Sequence, residues 1–249
     1  MKRFAPGIVY LDHTTISVSP DGNEIYWGNG YSILYSAIRD GQWTRPVYPS
    51  FSGPNALMFY DDVPFVSPDN QRLFFTSRRP VDTLSAKTNK ENIWYVERTG
   101  TGWSDPRPAG DAVNAMSLHW QVTVSRNGTL WFGGTDQNSF GAGDIYYSRL
   151  VNGEYTQPVN AGSVINTGES EMMPFIAPDE SYLFFFRAIL QRPYLFISFK
   201  GDDGQWQEPK PVDRFPVYVG VMVSPDGKYL FTYNQWVSAD FIDEMRPEE

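Results

Sequence analysis

His13, Asp61, His119, Glu171 and Tyr218 each stand six residues ahead of a Ser-Pro-Asp-Gly-like phrase, and the chain contains no other histidine. If the phrases mark equivalent points of one repeated unit, these five side chains face a common space. Two imidazoles and two carboxylates around one cavity suit a divalent cation such as Zn²⁺, Mn²⁺ or Fe²⁺ better than Mg²⁺ or Ca²⁺. His13, Asp61, His119 and Glu171 are therefore the candidate metal ligands. A metal with an open position would acidify bound water and polarise an ester, phosphoester or glycosidic oxygen. Without metal, Asp61 and Glu171 would act as a base and acid pair, as in glycoside hydrolysis. Ten residues past the phrases come Asn29, Ser77, Arg187 and Asn234, with Gly134 in the third unit and Arg78 and Arg79 just beyond Ser77. Arg78 and Arg187 would hold an anionic substrate. Asn29, Asn234, Arg79, Gln121 and Tyr218 complete the ligand-contacting set, and Trp120, beside His119, offers a stacking face to a sugar or aromatic ring.

The elements that must position these residues follow from the phrases. They begin at Ser19, Ser67, Ser125, Ala177 and Ser224, at spacings of 48, 58, 52 and 47 residues. Proline at φ near −65° followed by residues that tolerate left-handed backbone is turn chemistry, so each phrase is a hairpin tip and its Asp a turn residue. Apolar runs precede the tips, and aromatic runs such as Ile25-Tyr26-Trp27 and Leu183-Phe184-Phe185 follow them, which reads as paired strands. A third run follows, as in Ile93-Trp94-Tyr95-Val96, with Phe241-Ile242 expected in that place in the last unit. A fourth carries Trp43-x-x-Pro46, Trp103-x-x-Pro106, Tyr155-x-x-Pro158 or Trp206-x-x-Pro209; proline marks it as an edge strand, and its aromatic residue is expected to pack between neighbouring units. Four strands repeated at this period point to an all-β, five-bladed β-propeller of antiparallel blades in a single domain spanning residues 1–249. The missing fifth edge strand is expected from Phe4-Ala5-Pro6-Gly7-Ile8-Val9, closing the ring beside Phe241.

The Ser-Pro-Asp-Gly corners, Asp144-Ile-Tyr-Tyr-Ser-Arg-Leu-Val-Asn-Gly153, the Trp-x-x-Pro edges and Ile165-Asn-Thr-Gly168 resemble the TolB-like, WD-like propeller repeats of bacterial proteins. That resemblance implies the fold and a periplasmic or extracellular setting, although Met1-Lys2-Arg3 lacks the apolar stretch of a secretory signal and a cytoplasmic setting stays open. It does not single out a function.

Composition narrows the classes. A net charge of −9 without a basic cluster argues against nucleic acid. No run of about 18 apolar residues spans a membrane. The absence of cysteine removes disulfides and thiolate metal sites. No organic cofactor is expected, and the expected state is a monomer. Two main readings stay open. One is a metal-dependent hydrolase acting on a small molecule; the other is a non-catalytic recognition module for a glycan, peptide or protein partner. A purely structural repeat domain is the third.

Overall fold

The computed structural model describes residues 1–5, 8–9, 16–53, 58–81, 90–117, 120–217 and 220–247. Five small antiparallel sheets stand in a ring. The first blade is Ser17–Val18, Glu24–Gly28, Ile33–Arg39 and Gln42–Trp43; the second is Asp62–Val66, Arg72–Ser77, Asn92–Thr99 and Arg107–Pro108, with Gly102–Trp103 as an extra edge piece. The third is Val122–Val124, Leu130–Gly134, Asp144–Ser148 and Val159–Asn160; the fourth is Ser170–Ile176, Tyr182–Ile189, Arg192–Phe199 and Lys210–Pro211. The fifth joins the two chain ends: Met222–Val223, Tyr229–Thr232 and Gln235–Ser238, then Lys2–Arg3.

That last blade departs from the sequence expectation in two respects. Phe241 and Ile242 begin a short helix, Phe241–Met245, and bury their rings and methyls against the core instead of extending a sheet. The third strand is Gln235–Ser238, reached through a two-residue turn at Tyr233 and Asn234. The closing edge is Lys2–Arg3, with Lys2 opposite Trp236 and Arg3 opposite Gln235, not the Phe4-to-Val9 stretch. Phe4 instead turns inward, its ring 4.9 Å from Phe231 and 6.2 Å from Trp43. The apolar residue behaves as a plug and the two cations as the exposed edge, as burial energetics favour.

The corner chemistry is as the phrase implies. Ser19 and Ser224 donate to Asp21 and Asp226 at 2.6 and 2.5 Å, and Gly22 and Gly227 close the turns on the serine carbonyls at 2.8 Å. The serine hydroxyls hold both carboxyls below the usual carboxylate range. A depressed folded-state pKa stabilises above the unfolded value and loses that effect as pH falls, so this contribution is full above about pH 5 and fades below about pH 4. Ser19→Ala and Ser224→Ala are expected to move the Asp21 and Asp226 NMR titration midpoints up to ordinary values, and each to cost about 1 kcal/mol in a denaturant melt.

The recurring edge aromatics join neighbouring blades. Trp103 donates its indole N–H to Tyr26 at 3.0 Å, Tyr155 meets Phe74 edge-on, Trp206 meets Trp131 at 90°, and Trp43 meets Phe4. Near the axis the inner strands are stitched by side chains: Val66 N–H donates to Ser17, Ile176 N–H to Thr123, and Val18 N–H to the Met222 sulfur.

Candidate functional site

The inner strands of the second and fourth blades each carry a bulge, between Asp62 and Phe65 and between Met172 and Phe175. The bulged residues Val63 and Met173 have φ of 43° and 55°, and the same position in the fifth blade is Gly220 at 63°. A β-branched residue in left-handed backbone is strained by about 1–3 kcal/mol. Val63→Gly is therefore expected to raise stability by about 1 kcal/mol, read as a higher urea midpoint with unchanged slope.

These strands shut the axis. Ile16, Val63, Phe65, Val122, Val221 and Met222 surround a void of only about 10 Å³, around the size of a single water site. The two mouths are thus separate surfaces. The corner mouth is ringed by Pro20, Pro68, Pro178 and Pro225, with Arg126 in the third place, above a mainly apolar floor that includes Phe65, Phe175 and Met222.

At the opposite mouth, Asp61 and Glu171 occupy matching positions and are each fully buried. Arg79 donates to Asp61 at 2.5 Å and to the Phe51 carbonyl at 2.8 Å. Arg187 repeats the arrangement, donating to Glu171 at 2.7 Å and to the Ile165 carbonyl at 3.0 Å. Glu171 also accepts from Thr167 N–H and hydroxyl. Each arginine lies over aromatic rings of its own blade, Arg79 over Phe75 and Arg187 over Phe185 and Phe196. Burial raises the Asp61 pKa, and the Arg79 charge opposes that rise. The pairs are latches between a blade and the connection that enters it. Both carboxylates spend their charge on an arginine of the same blade.

The other sequence candidates fall into three groups. His13, His119 and Tyr218 lie outside the described residues. Among the described residues no three His, Cys, Asp or Glu side chains come together as metal ligands. Gln121 is buried, its amide donating to the Pro174 carbonyl at 3.2 Å and the Val221 carbonyl at 3.5 Å, so it braces the inner strands. Asn29 caps a turn by accepting from Tyr31 and Ser32 N–H, and Asn234 accepts the Phe4 N–H on its carbonyl. Trp120 is half-buried and lies against Gly143. Arg78 alone among the arginine candidates is exposed, its guanidinium 4.7 Å from the Tyr60 ring centre.

Arg78 belongs to a surface cluster that the repeat register does not reveal. Tyr60 is 40% exposed and pairs at 5.7 Å with Tyr31 of the first blade, which is 57% exposed; Met58 beside them is 72% exposed. Tyr60 holds a left-handed φ of 51°. The only hint in the sequence is three aromatic residues, Tyr31, Phe59 and Tyr60, in connections where turn residues are the norm.

This geometry is a five-bladed β-propeller. Solved structures of similar fold include a protein of Agrobacterium tumefaciens assigned as TolB, at TM-score 0.58 and 15% identity over 92% of this chain and 72% of that one. TolB from Acinetobacter baumannii aligns at TM-score 0.50 and 18% identity, over 82% of this chain and 44% of that chain. A propeller in a nidogen/laminin complex aligns at 0.55 and 13%, over 87% of this chain and 70% of that one. At these identities the likeness is one of fold. No known family model matches the chain, and no curated protein is similar to it in sequence. Among the described residues no helix is long and apolar enough to cross a membrane.

Proposed function

We propose that this propeller is a recognition module that binds an acidic, aromatic- or aliphatic-bearing peptide segment of a partner protein at the mouth containing Tyr31, Tyr60 and Arg78. The observation that carries the reading is the division of labour between adjacent arginines: Arg79 turns in to neutralise Asp61, whereas Arg78 lies exposed over Tyr60. Tyrosine, arginine and methionine exposed together are the residue types that dominate binding energy at protein interfaces. The buried carboxylates, by contrast, are held by arginines in a way that a general acid or base does not require. The setting that goes with this reading is the periplasm or the cell exterior, as the TolB-like repeats imply.

The test is a selection of displayed peptides on the immobilised protein, followed by calorimetry of the recovered sequences. Acidic peptides with an apolar residue are expected, and Tyr60→Ala or Arg78→Ala should weaken them at least tenfold while leaving the melting temperature nearly unchanged. The same preparation is screened on ester, phosphoester and glycoside substrates with Zn²⁺, Mn²⁺ or Fe²⁺ added. Turnover that disappears in His119→Ala, or a stoichiometric metal lost in that variant, overturns the proposal in favour of a metal-dependent hydrolase.

A further inference from the structure

The joint between the first and second blades and the joint between the third and fourth are built from equivalent positions, yet one is filled and the other open. In the first joint Arg98 forms an ion pair with Glu24, donates to the Asn70 side chain at 2.9 Å and lies 3.9 Å from the Trp103 ring centre. Trp103 donates to the Tyr26 hydroxyl at 3.0 Å, which in turn donates to Glu24 at 3.0 Å. The Arg98–Glu24 and Trp103–Tyr26 contacts tie the two blades together across the joint.

In the second joint the strand register puts Trp131 where Tyr26 stands, Thr129 for Glu24, Lys200 for Arg98 and Trp206 for Trp103. Trp131 has no oxygen to receive the Trp206 indole, and its own buried Nε1 has no hydrogen-bond partner. Thr129 is too short to reach Lys200, which pairs instead with Glu180 at 2.9 Å. The result is a groove of about 470 Å³ with Trp131, Tyr147 and Trp206 among its walls, within the size range of small-ligand sites.

One further feature points to an occupant. The position of Ala37 in the first joint is taken by Arg149, an exposed cation over the Tyr147 ring with no ion pair among the described residues. Glu180 fills the left-handed corner position at φ 61°, where Asn70 stands in the first joint at φ 59°, and its carboxylate is held by Lys200 and Ser125. Lys200 being committed to Glu180, Arg149 leaves the groove one positive charge in excess, in a chain whose net charge is −9.

We infer that the groove between the third and fourth blades binds an anionic saccharide of the sugar-acid type, its carboxylate on Arg149 and its ring against the aromatic walls. Planar guanidinium pairs with carboxylate in two parallel hydrogen bonds, and Gln205 on the opposite wall supplies amide donors and acceptors for hydroxyls. This site is distinct from the mouth around Tyr60 and does not depend on that reading.

Trigalacturonate, maltotriose and sodium acetate are titrated separately into the full chain, followed by tryptophan fluorescence and by amide NMR. Trigalacturonate is expected to shift resonances of Trp131, Arg149 and Trp206, with affinity falling as salt rises. Arg149→Ala, at an exposed position that leaves the fold intact, should weaken it at least tenfold, and Gln205→Ala severalfold. Maltotriose should bind at least tenfold more weakly, and acetate should not saturate the same shifts. Absence of groove shifts with trigalacturonate, equal binding of maltotriose, or an Arg149→Ala variant that binds as well as the parent would each overturn the inference.

Discussion

Arg187→Ala is expected to lower stability by about 3–5 kcal/mol, among the largest effects of any single substitution outside the aromatic core. The change removes the only cation bonded to Glu171 among the described residues, where its fully buried carboxylate keeps Thr167 as its partner. Isolated buried charge, not the lost bond, sets the cost. The paired change Glu171→Gln with Arg187→Met keeps volume and removes both charges, and it should recover most of the loss. Guanidinium denaturation of the parent, the single variant and the double variant checks this directly. A double variant no more stable than Arg187→Ala would show that Glu171 is needed for something other than its arginine.

Phe4→Ala is the second large effect, about 2–3 kcal/mol, below the 3–5 kcal/mol of a fully buried phenylalanine because the ring is half-buried. Its ring is wedged between Phe231 of the fifth blade and Trp43 of the first, and its N–H donates to the Asn234 carbonyl at 2.8 Å. Removing residues 1–4 altogether should do more. It strips Lys2 and Arg3 from Gln235 and Trp236 and leaves that strand as a free edge, a template for pairing with another chain. The expected result is a lower urea midpoint for Phe4→Ala with the parent's elution volume retained in gel filtration, and larger species for the truncated chain. A truncated protein that elutes and melts like the parent would mean that the ring closes without this strand.

The blades were legible because their signals are local. A Ser-Pro-Asp-Gly corner determines its own turn, and an aromatic run on either side has few alternatives to a strand. The last blade was not, since Tyr233-Asn234 makes a turn too short to announce itself, and the apolar pair Phe241-Ile242 serves a helix as readily as a strand. Side-chain pairing within a blade was harder again. Register alone puts Asp61 and Glu171 at the edge of a common cavity and Arg187 near the same mouth. That Arg79 and Arg187 would reach across to neutralise them depends on rotamers and on the carbonyls of Phe51 and Ile165, which register alone does not convey. The open joint at Trp131 emerges only when two interfaces are compared position by position, because each residue there is unexceptional for a strand.

The mainly apolar seal formed by Ile16, Val63, Phe65, Val122, Val221 and Met222, with Gln121 beside them, makes the ring a bulkhead rather than a pipe. Whatever docks on one side can influence the other only by shifting whole sheets against one another, and close-packed sheets resist such motion. Any two ligands bound on opposite faces should therefore bind with nearly additive free energies.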